Sequence, residues 1–582
     1  MKNLLFICLL GLLTASTNTN NLVADGQWQM YNKMGNDSLS QNCDGSLHLD
    51  TAENTDRDPG IFHEIDLSKQ PRAEDGQPLH VKFWAKSSDS QPLTAAVMQS
   101  KYPFAQTTHE TQYLTPSWKQ YEFDCVAPGN ADGLWLHFKT KGATDIKEIG
   151  VTAESAADLG LNAHDLTAQG CESNIDKYRK GKIEVEVLDQ SGKPLPKADV
   201  QIKQTKQSFL FGTEIQGLNP DAQSQSQLDY QKALKETFNF ATVTPYWPHT
   251  EKHSGQVNFD SFDKQIDWLS ANDMTIKAHP AFWPHYTPGF VPSDPEQAAP
   301  MIDEHTKQFA EHFSKFPHMR FIENNEICAA EADASQNGAI NWVKKVGAVN
   351  AVEKETAIEQ KAIGTNHPVE IVYNDYQSNE QEMAMLDRLQ ADGKLPDAIG
   401  IQMHMTQGNW PLEKVEHIIN KLSKYGRPIY ISEISVLSGE HRIGSDDHPS
   451  LDWKSTRDGE REQTEYVEKL YRVLYSNRHV KGITWWDLSD KNSWQGAPRG
   501  LLREDMSPKP AYDRLHNLIQ NEWRSDVHTK TDESGAVEQR VFAGDYDITV
   551  SDAQGHQVQH VHAHVDEGED CKTVKIKLDG HI

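Results

Sequence analysis

Between residues 208 and 488 a short apolar run gives way, again and again, to an amphipathic stretch. The runs are SFLFGTEI, FATVTP, TIKAHPAF, MRFIENNE, VEIVYND, AIGIQMHM, PIYISEIS and KGITWWDL. Between them lie segments with apolar residues at helical spacing, among them FDKQIDWLSAN, MIDEHTKQFAEHFSKF, NEQEMAMLDRLQAD, PLEKVEHIINKLSKYG and EREQTEYVEKLYRVLYSN. Strands this apolar need cover on both faces, and strands joined by helical crossovers run parallel. Eight such units predict a (β/α)8 barrel, with functional groups at the carboxyl ends of the strands. Glu214, His279, Asn325, Glu326, Asn374, Asp375, Gln402, His404, Glu433 and Trp486 all fall at such ends. MRFIENNE starts as a buried strand and finishes on Asn324, Asn325 and Glu326, groups that burial penalises unless they are paired or used.

The chain has 582 residues, too many for one core. Residues 22–155 alternate with period two between turn residues, as in LHVKFWAKS, KQYEFDCV and GLWLHFKT, the pattern of an all-β sandwich. Residues 156–180 are polar and read as a linker or docking segment. The barrel is expected over 181–520 with a leading hairpin, KIEVEVLDQSGKPLPKADVQIKQ. Residues 521–582 return to β patterning and form a small segment suited to packing on that hairpin. The expected fold is therefore multidomain: a TIM barrel preceded by an all-β jelly-roll or sandwich module and followed by a small β-rich C-terminal segment.

At the start, Lys2 precedes an apolar run from Leu4 to Leu13 and then Thr14-Ala15-Ser16. That layout predicts a signal peptide over residues 1–20, and so a secreted, periplasmic or cell-surface protein; a buried N-terminal helix is the alternative. The run is too short for a membrane span, and no later stretch is apolar enough. A net charge of −28 repels phosphate backbones and excludes nucleic acid as a partner. After the leader, Cys43, Cys125, Cys171, Cys328 and Cys571 remain without a CxxC spacing; a Cys43–Cys125 disulfide and fully reduced thiols both stay open. His560, His562 and His564 share one strand face, and without a fourth ligand a solvated face is expected rather than a metal site. No metal or other cofactor is expected, and the protein is expected to be a monomer.

Two strand ends carry a glutamate in polar company: Glu326 in ENNE and Glu433 in YISEIS. Strands four and seven of a barrel lie nearly opposite, and two carboxylates facing across a groove are what glycoside hydrolysis uses. Here the chain resembles glycoside hydrolase family 10, the retaining endo-β-1,4-xylanase family, over about residues 182–519. The likeness rests on an ordered series: FLFGTEI, TEKHSGQVNFDSFDKQIDW, KAHPAFW, NNE, VYNDYQ, IGIQMHM, SE, GITWWDLSDKNSW, GLL and KPAYDRL. The resemblance implies that Glu326 is the acid/base and Glu433 the nucleophile. It further implies that Asn325 bonds the 2-hydroxyl of the reacting sugar, and that Gln402 and His404 sit beside the nucleophile. His279 and Trp283 would line the sugar pocket, Trp486 and Trp494 would pack over the sugar, and Trp247 would lie in the neighbouring subsite. YLTPSWKQYEFDCVAPGNADGLWLHF resembles the jelly-roll carbohydrate-binding modules attached to such enzymes, with Trp28, Trp84, Trp118 and Trp135 available for stacking.

The chain also departs from the family pattern. Thr242, Val243 and Tyr246 stand where Glu, Asn and Lys grip the second sugar; only Trp247 is kept. Pro284 replaces the His expected after Trp283, Phe321 and Ile322 replace Trp and Asp, and Ser435 replaces the Asp that buttresses the neighbouring His. The groups that break the bond look retained, while those that choose the substrate do not. The expectation is a secreted retaining endo-glycosidase acting on a plant or algal polysaccharide, of xylanase type with altered subsites. The alternative is a non-catalytic glycan-binding protein on a degenerate hydrolase barrel. No strand-end Lys or spaced metal cluster favours an aldolase or a metal-dependent hydrolase.

Overall fold

The computed structural model describes residues 23, 28–31, 38–51, 60–65, 78–88, 92–99, 106–126, 134–140, 142–153, 166–331, 333, 335–365, 368–376, 380–406, 408–440, 453–552 and 558–578. The expected leader, residues 1–20, lies outside them. The chain divides into two compact units, residues 1–163 with 407–417, and residues 164–406 with 418–582. Among the described residues, no helix is long and apolar enough to cross a membrane.

The first unit is built on two five-stranded antiparallel sheets. Alternate residues point inward, so Ile61, Leu93 and Leu134 of one sheet share a dry core with Leu49, Leu79, Val81 and Ile146 of the other. Period-two patterning produces this directly, because one face of each strand must leave water. Of the four tryptophans available for stacking, each of which by itself is more readily read as core, Trp28 packs against this core and meets Phe138 at 5.5 Å. Trp135 lies against Phe62 at 4.4 Å, and Lys86 and Lys147 both lie over the ring of Trp118. Cys43 and Cys125 are free thiols.

In the second unit, eight parallel strands close into a barrel. They are β1 (Leu210–Glu214), β2 (Phe240–Val243), β3 (Thr275–Phe282), β4 (Met319–Asn325), β5 (Glu370–Asp375), β6 (Ala398–Met405), β7 (Ile429–Val436) and β8 (Val480–Trp485). β8 pairs back onto β1, Leu210 opposite Gly482, which leaves no free edge. Phe240, Phe321, Val372 and Ala398 fill the interior as one apolar cluster, so the barrel is a packed core and not a channel. The β4–β5 crossover is longer than the alternation predicts, with helices at Gly338–Val346 and Ala348–Ile363.

The leading hairpin and the C-terminal tail form one small sandwich. Lys180–Leu188 is the middle strand of a three-stranded sheet, antiparallel to Ala536–Phe542 and parallel to Lys572–Lys577. Asp199–Gln207 lies between Asp526–Lys530 and Gly544–Ser551 in a four-stranded sheet that ends on Val558–Val565. Ile183, Val185, Ile202, Ile548 and Val574 share its core. The sequence boundary grouped the hairpin with the barrel because they are adjacent in the chain; strand pairing groups it with the tail instead. His562 bonds Asp547, His564 bonds Asp545 and His560 bonds Thr549, all on the adjacent strand.

Part of the segment read as a linker or docking piece is a helix, Ala168–Arg179, capped by the Thr167 side chain. Its last residue is buried. Arg179 donates to the carbonyls of Tyr475, Asn477 and Val480 and to the Glu567 carboxylate at 2.6 Å, with its guanidinium over the Phe209 ring. One side chain thus ties the N-terminal helix, the approach to β8 and the small sandwich together. Arg179→Ala is expected to cost about 3 kcal/mol or more, and Arg179→Lys to recover little, since a point charge cannot serve the same fork of acceptors. Denaturant unfolding of the two variants beside the parent checks this; equal midpoints would refute it.

Candidate functional site

β4 delivers its three polar residues to different places. Asn324 turns outward and donates to Glu359 of the Ala348–Ile363 helix at 2.8 Å. Asn325 turns inward. Glu326 follows with φ of 54°, left-handed backbone that a non-glycine residue adopts at some cost and that recurs at functional positions. The turn is held from β5. Asp375 accepts from Tyr373 at 2.7 Å, and the same Tyr373 hydroxyl accepts from the Cys328 amide. The Glu326 amide donates to the Asn374 carbonyl.

At the mouth, amides join the two predicted glutamates. Gln402 Nε2 donates to Glu326 Oε1 at 2.8 Å and to Asn325 Oδ1 at 3.1 Å. Asn374 Nδ2 donates to Asn325 Oδ1 at 2.8 Å and to Glu433 Oε1 at 3.0 Å. Ser432 occupies the Asn374 oxygen. A Cβ at Gly400 would meet Ser432 Oγ at 2.5 Å and Asn374 Oδ1 at 2.9 Å, so this crossing requires a glycine on β6. Both acceptor bonds of Asn325 fall on its oxygen, which leaves Nδ2 free among the described residues.

Each carboxylate then has a partner of its own. Trp283 Nε1 donates to Glu326 Oε2 at 2.8 Å, and His404 Nε2 lies 3.0 Å from Glu433 Oε2. Burial raises the Glu326 carboxyl; Gln402 and His285 pull it down, and the Glu433 charge pushes it up. Burial likewise raises Glu433, to about 7, against the pull of His279. Two acids this close to one another in a largely desolvated site titrate as a pair, and the pair holds a proton to higher pH than free glutamates would.

The charges that the sequence reading did not assign stand one layer behind. Glu323 is fully buried, 2.8 Å from Lys277 Nζ and 2.5 Å from His279 Nδ1. Burial alone would raise its carboxyl, but Lys277 and His279 outweigh that and hold it below its usual range. The bond fixes His279 so that Nε2 faces Glu433 at 3.9 Å. His279, Glu323 and Glu433 bring potential metal ligands within 4.8 Å of one another, yet Lys277 already supplies the cation there.

Ser435 stands where a buttressing carboxylate was expected, and a different relay takes over. Arg499, fully buried, donates to Ser435 Oγ at 3.3 Å, and that hydroxyl lies 2.8 Å from His404 Nδ1. With Arg499 occupying the acceptor side, the hydroxyl proton points to Nδ1, and the imidazole presents Nε2–H to Glu433. Burial, and then the Arg499 charge, push His404 down to about 3, so it stays neutral. The histidine missing after Trp283 reappears one residue later. His285 bonds Asp333 at 2.6 Å and turns Nε2 to within 4.0 Å of Glu326.

Aromatic rings frame the cleft. Trp486 packs edge-on to His279 at 5.3 Å, and Trp494, 46% exposed, lies 4.9 Å from His404 with Arg499 beneath it. Tyr246, read as a lost contact, packs on His279, Trp283 and Tyr286. Trp247 is not brought to this group. It is buried, stacked on His305 at 4.3 Å, with its N–H donated to Glu251 at 2.8 Å. The structure therefore gathers Glu326, Glu433, Asn325, His279, Trp283, Gln402, His404, Trp486 and Trp494, and leaves Trp247 in the wall.

The family model for glycosyl hydrolase family 10 matches residues 202–518. The chain belongs to that family. Anti-sigma-I factor RsgI6 of Acetivibrio thermocellus is 25% identical over 65% of this chain and 46% of its own length. Endo-1,4-beta-xylanase B of Thermotoga neapolitana is 22% identical over 54% of this chain and 88% of its own. The crystal structure of native xylanase 10B from Thermotoga maritima aligns with a TM-score of 0.45 at 21% identity, over 54% of this chain and 96% of that one.

Glu433 is expected to titrate near 7, and Ser435→Asp to lower it by about one pH unit, because a carboxylate at that place favours imidazolium at His404. Carbon NMR of side-chain-labelled glutamate follows this. An unmoved Glu433 in the variant would show that the Arg499–Ser435–His404 relay does not act on it.

Proposed function

We propose that this member of glycosyl hydrolase family 10 is an exported, retaining endo-β-glycosidase acting on a neutral plant or algal polysaccharide. The observation that carries the reading is the bridging of a buried glutamate, Glu433, and a partly buried one, Glu326, by uncharged amides. Cations placed between them would quench one acid; Gln402, Asn325 and Asn374 position both and neutralise neither. Glu326, kept protonated by burial beside Glu433, gives its proton to the departing glycosidic oxygen as Glu433 attacks the anomeric carbon. Glu326, now ionised, takes a proton from water, and the water oxygen displaces Glu433 from the same carbon. The free Nδ2 of Asn325 suits the 2-hydroxyl of the reacting sugar. The neutral N–H of His404 steadies the Glu433 carboxylate without holding it as an ion pair. Trp486 and Trp494 provide flat faces for the ring.

Departures at Thr242, Val243 and Tyr246 argue for a substrate other than plain xylan, or for xylan held differently beyond the reacting sugar. The sandwich of the first unit is read as an accessory glycan-binding module, and residues 1–20 as the export signal.

Chromatography of products from a panel of β-linked polysaccharides tests the activity, and proton NMR of the first product tests retention, which needs carboxyl groups roughly 5–5.5 Å apart. Glu326→Ala and Glu433→Ala are each expected to lower kcat by about 10³-fold or more. Azide should rescue both, giving the β-glycosyl azide with the first variant and the α-azide with the second. Undiminished turnover in both variants would remove the mechanism; a parent protein that binds glycans and cleaves none would leave the non-catalytic alternative.

A further inference from the structure

A second built cavity opens at the β1–β8 seam. Its volume is about 260 Å³, below the roughly 300–1,000 Å³ of sites for drug-sized ligands and on the scale of a single sugar ring. Glu214, Asp487, Tyr230, Gln216, Lys491 and Asn492 line it. Three of these are buried polar groups with an atom to spare. Glu214 accepts from the Gln216 amide and Thr244 through Oε1 alone, and Asp487 accepts from the Trp494 amide through Oδ2 alone. Among the described residues no bond is made by Glu214 Oε2, Asp487 Oδ1 or the Tyr230 hydroxyl, and these atoms stay within reach of what enters the cavity although the residues are largely buried. Polar atoms that face a cavity without a protein partner have hydrogen bonds to offer a polar ligand.

We infer that this cavity is a recognition pocket for one neutral sugar unit, gripped through vicinal hydroxyls by Glu214, Asp487 and Tyr230. The assignment rests on the reading of the barrel as a glycan-processing site. Three observations set the ligand class. The two carboxylates repel a uronate or other anion. Lys491, Gln216 and Asn492 place donors in the same space, which disfavours a divalent cation and suits hydroxyls that both give and take hydrogen bonds. Burial, and then the Asp487 charge, raise Glu214 well above its ordinary range, and burial raises Asp487 to about 6 against the pull of Arg499, so these acids favour a neutral hydroxylated ligand over a cation.

The pocket adjoins the reacting centre through Trp494, whose amide bonds Asp487 and whose ring lies 4.9 Å from His404. Asp487 also anchors the Trp494 amide, so a sugar held here would adjoin the exposed indole. Asp487 has a φ of 65°, a conformation that favours glycine, and an aspartate kept there is consistent with a demand for its side chain. The strand-two grip that the family pattern expects is absent, and this pair offers a different one from strands one and eight.

Calorimetry on Glu433→Gln protein, titrated with xylotetraose, cellotetraose, mannotetraose and a glucuronate-branched xylotetraose, tests the pocket apart from catalysis. At least one unbranched tetraose is expected to bind, and Glu214→Ala or Asp487→Ala in that background to weaken it at least tenfold. Tyr230→Phe, which removes only a hydroxyl, should weaken it severalfold and secures the test if the alanine variants fail to fold. Unchanged affinity in Tyr230→Phe and in whichever alanine variants fold overturns the pocket. So does binding of the branched anionic probe alone, the absence of binding by any neutral tetraose, or saturable uptake of calcium by the cavity. Binding that behaves as stated in a parent protein without hydrolase activity would sink the catalytic proposal and leave this one standing; normal cleavage and binding by the alanine variants would do the reverse.

Discussion

The amide of Asn374, set between Asn325 and Glu433, is the contact on which the centre depends. It donates to an oxygen on each side while its own oxygen is held by Ser432, and Gly400 leaves the space for the crossing. A charged group in that place would pair with one glutamate and silence it. A neutral bridge fixes the geometry of two acids and leaves their mutual repulsion intact. That repulsion, added to burial, keeps a proton on the pair.

Charge compensation comes from a layer farther back. Lys277 pairs with Glu323, and His279, held by the same carboxylate, then lies 3.9 Å from Glu433. Arg499 acts through Ser435 to keep His404 neutral with Nε2–H forward. Replacing an acid by Ser435 does not simply delete a support; it changes the donor to Glu433 from a cation-prone imidazole to a neutral one. The cost is a nucleophile candidate with a high proton affinity, and the gain is a donor whose own charge does not vary with pH across the neutral range.

The same logic applies around the rim. Tyr246 reads as a loss when only residue types are compared, because it replaces a charged grip. In the folded chain it is the ring on which His279, Trp283 and Tyr286 converge. His285 reads as absent because it is displaced by one position, yet Asp333 turns it back toward Glu326. Substitutions in one strand are answered by residues on others, so the rim of this chain is shaped by several strands and not by any single motif.

The sequence by itself determined the barrel, its eight strands and the ends that carry Glu326, Glu433, Asn325, His279, Gln402 and His404. These follow from local periodicity: strand and helix faces repeat at different intervals, and a polar residue closing an apolar run marks the mouth. Only the tertiary structure decided the rest. Lys277 and Glu323 are costly buried charges until strands three and four lie side by side. Trp247 looks like a platform until its ring stacks on His305 and its N–H finds Glu251. The hairpin at 180–207 belongs with residues 526–577, more than 300 positions away, because unpaired strand edges find partners in space and not along the chain. The β patterning of the tail suited it to that hairpin, but which strands pair, and in what register, leaves no periodic trace in either segment.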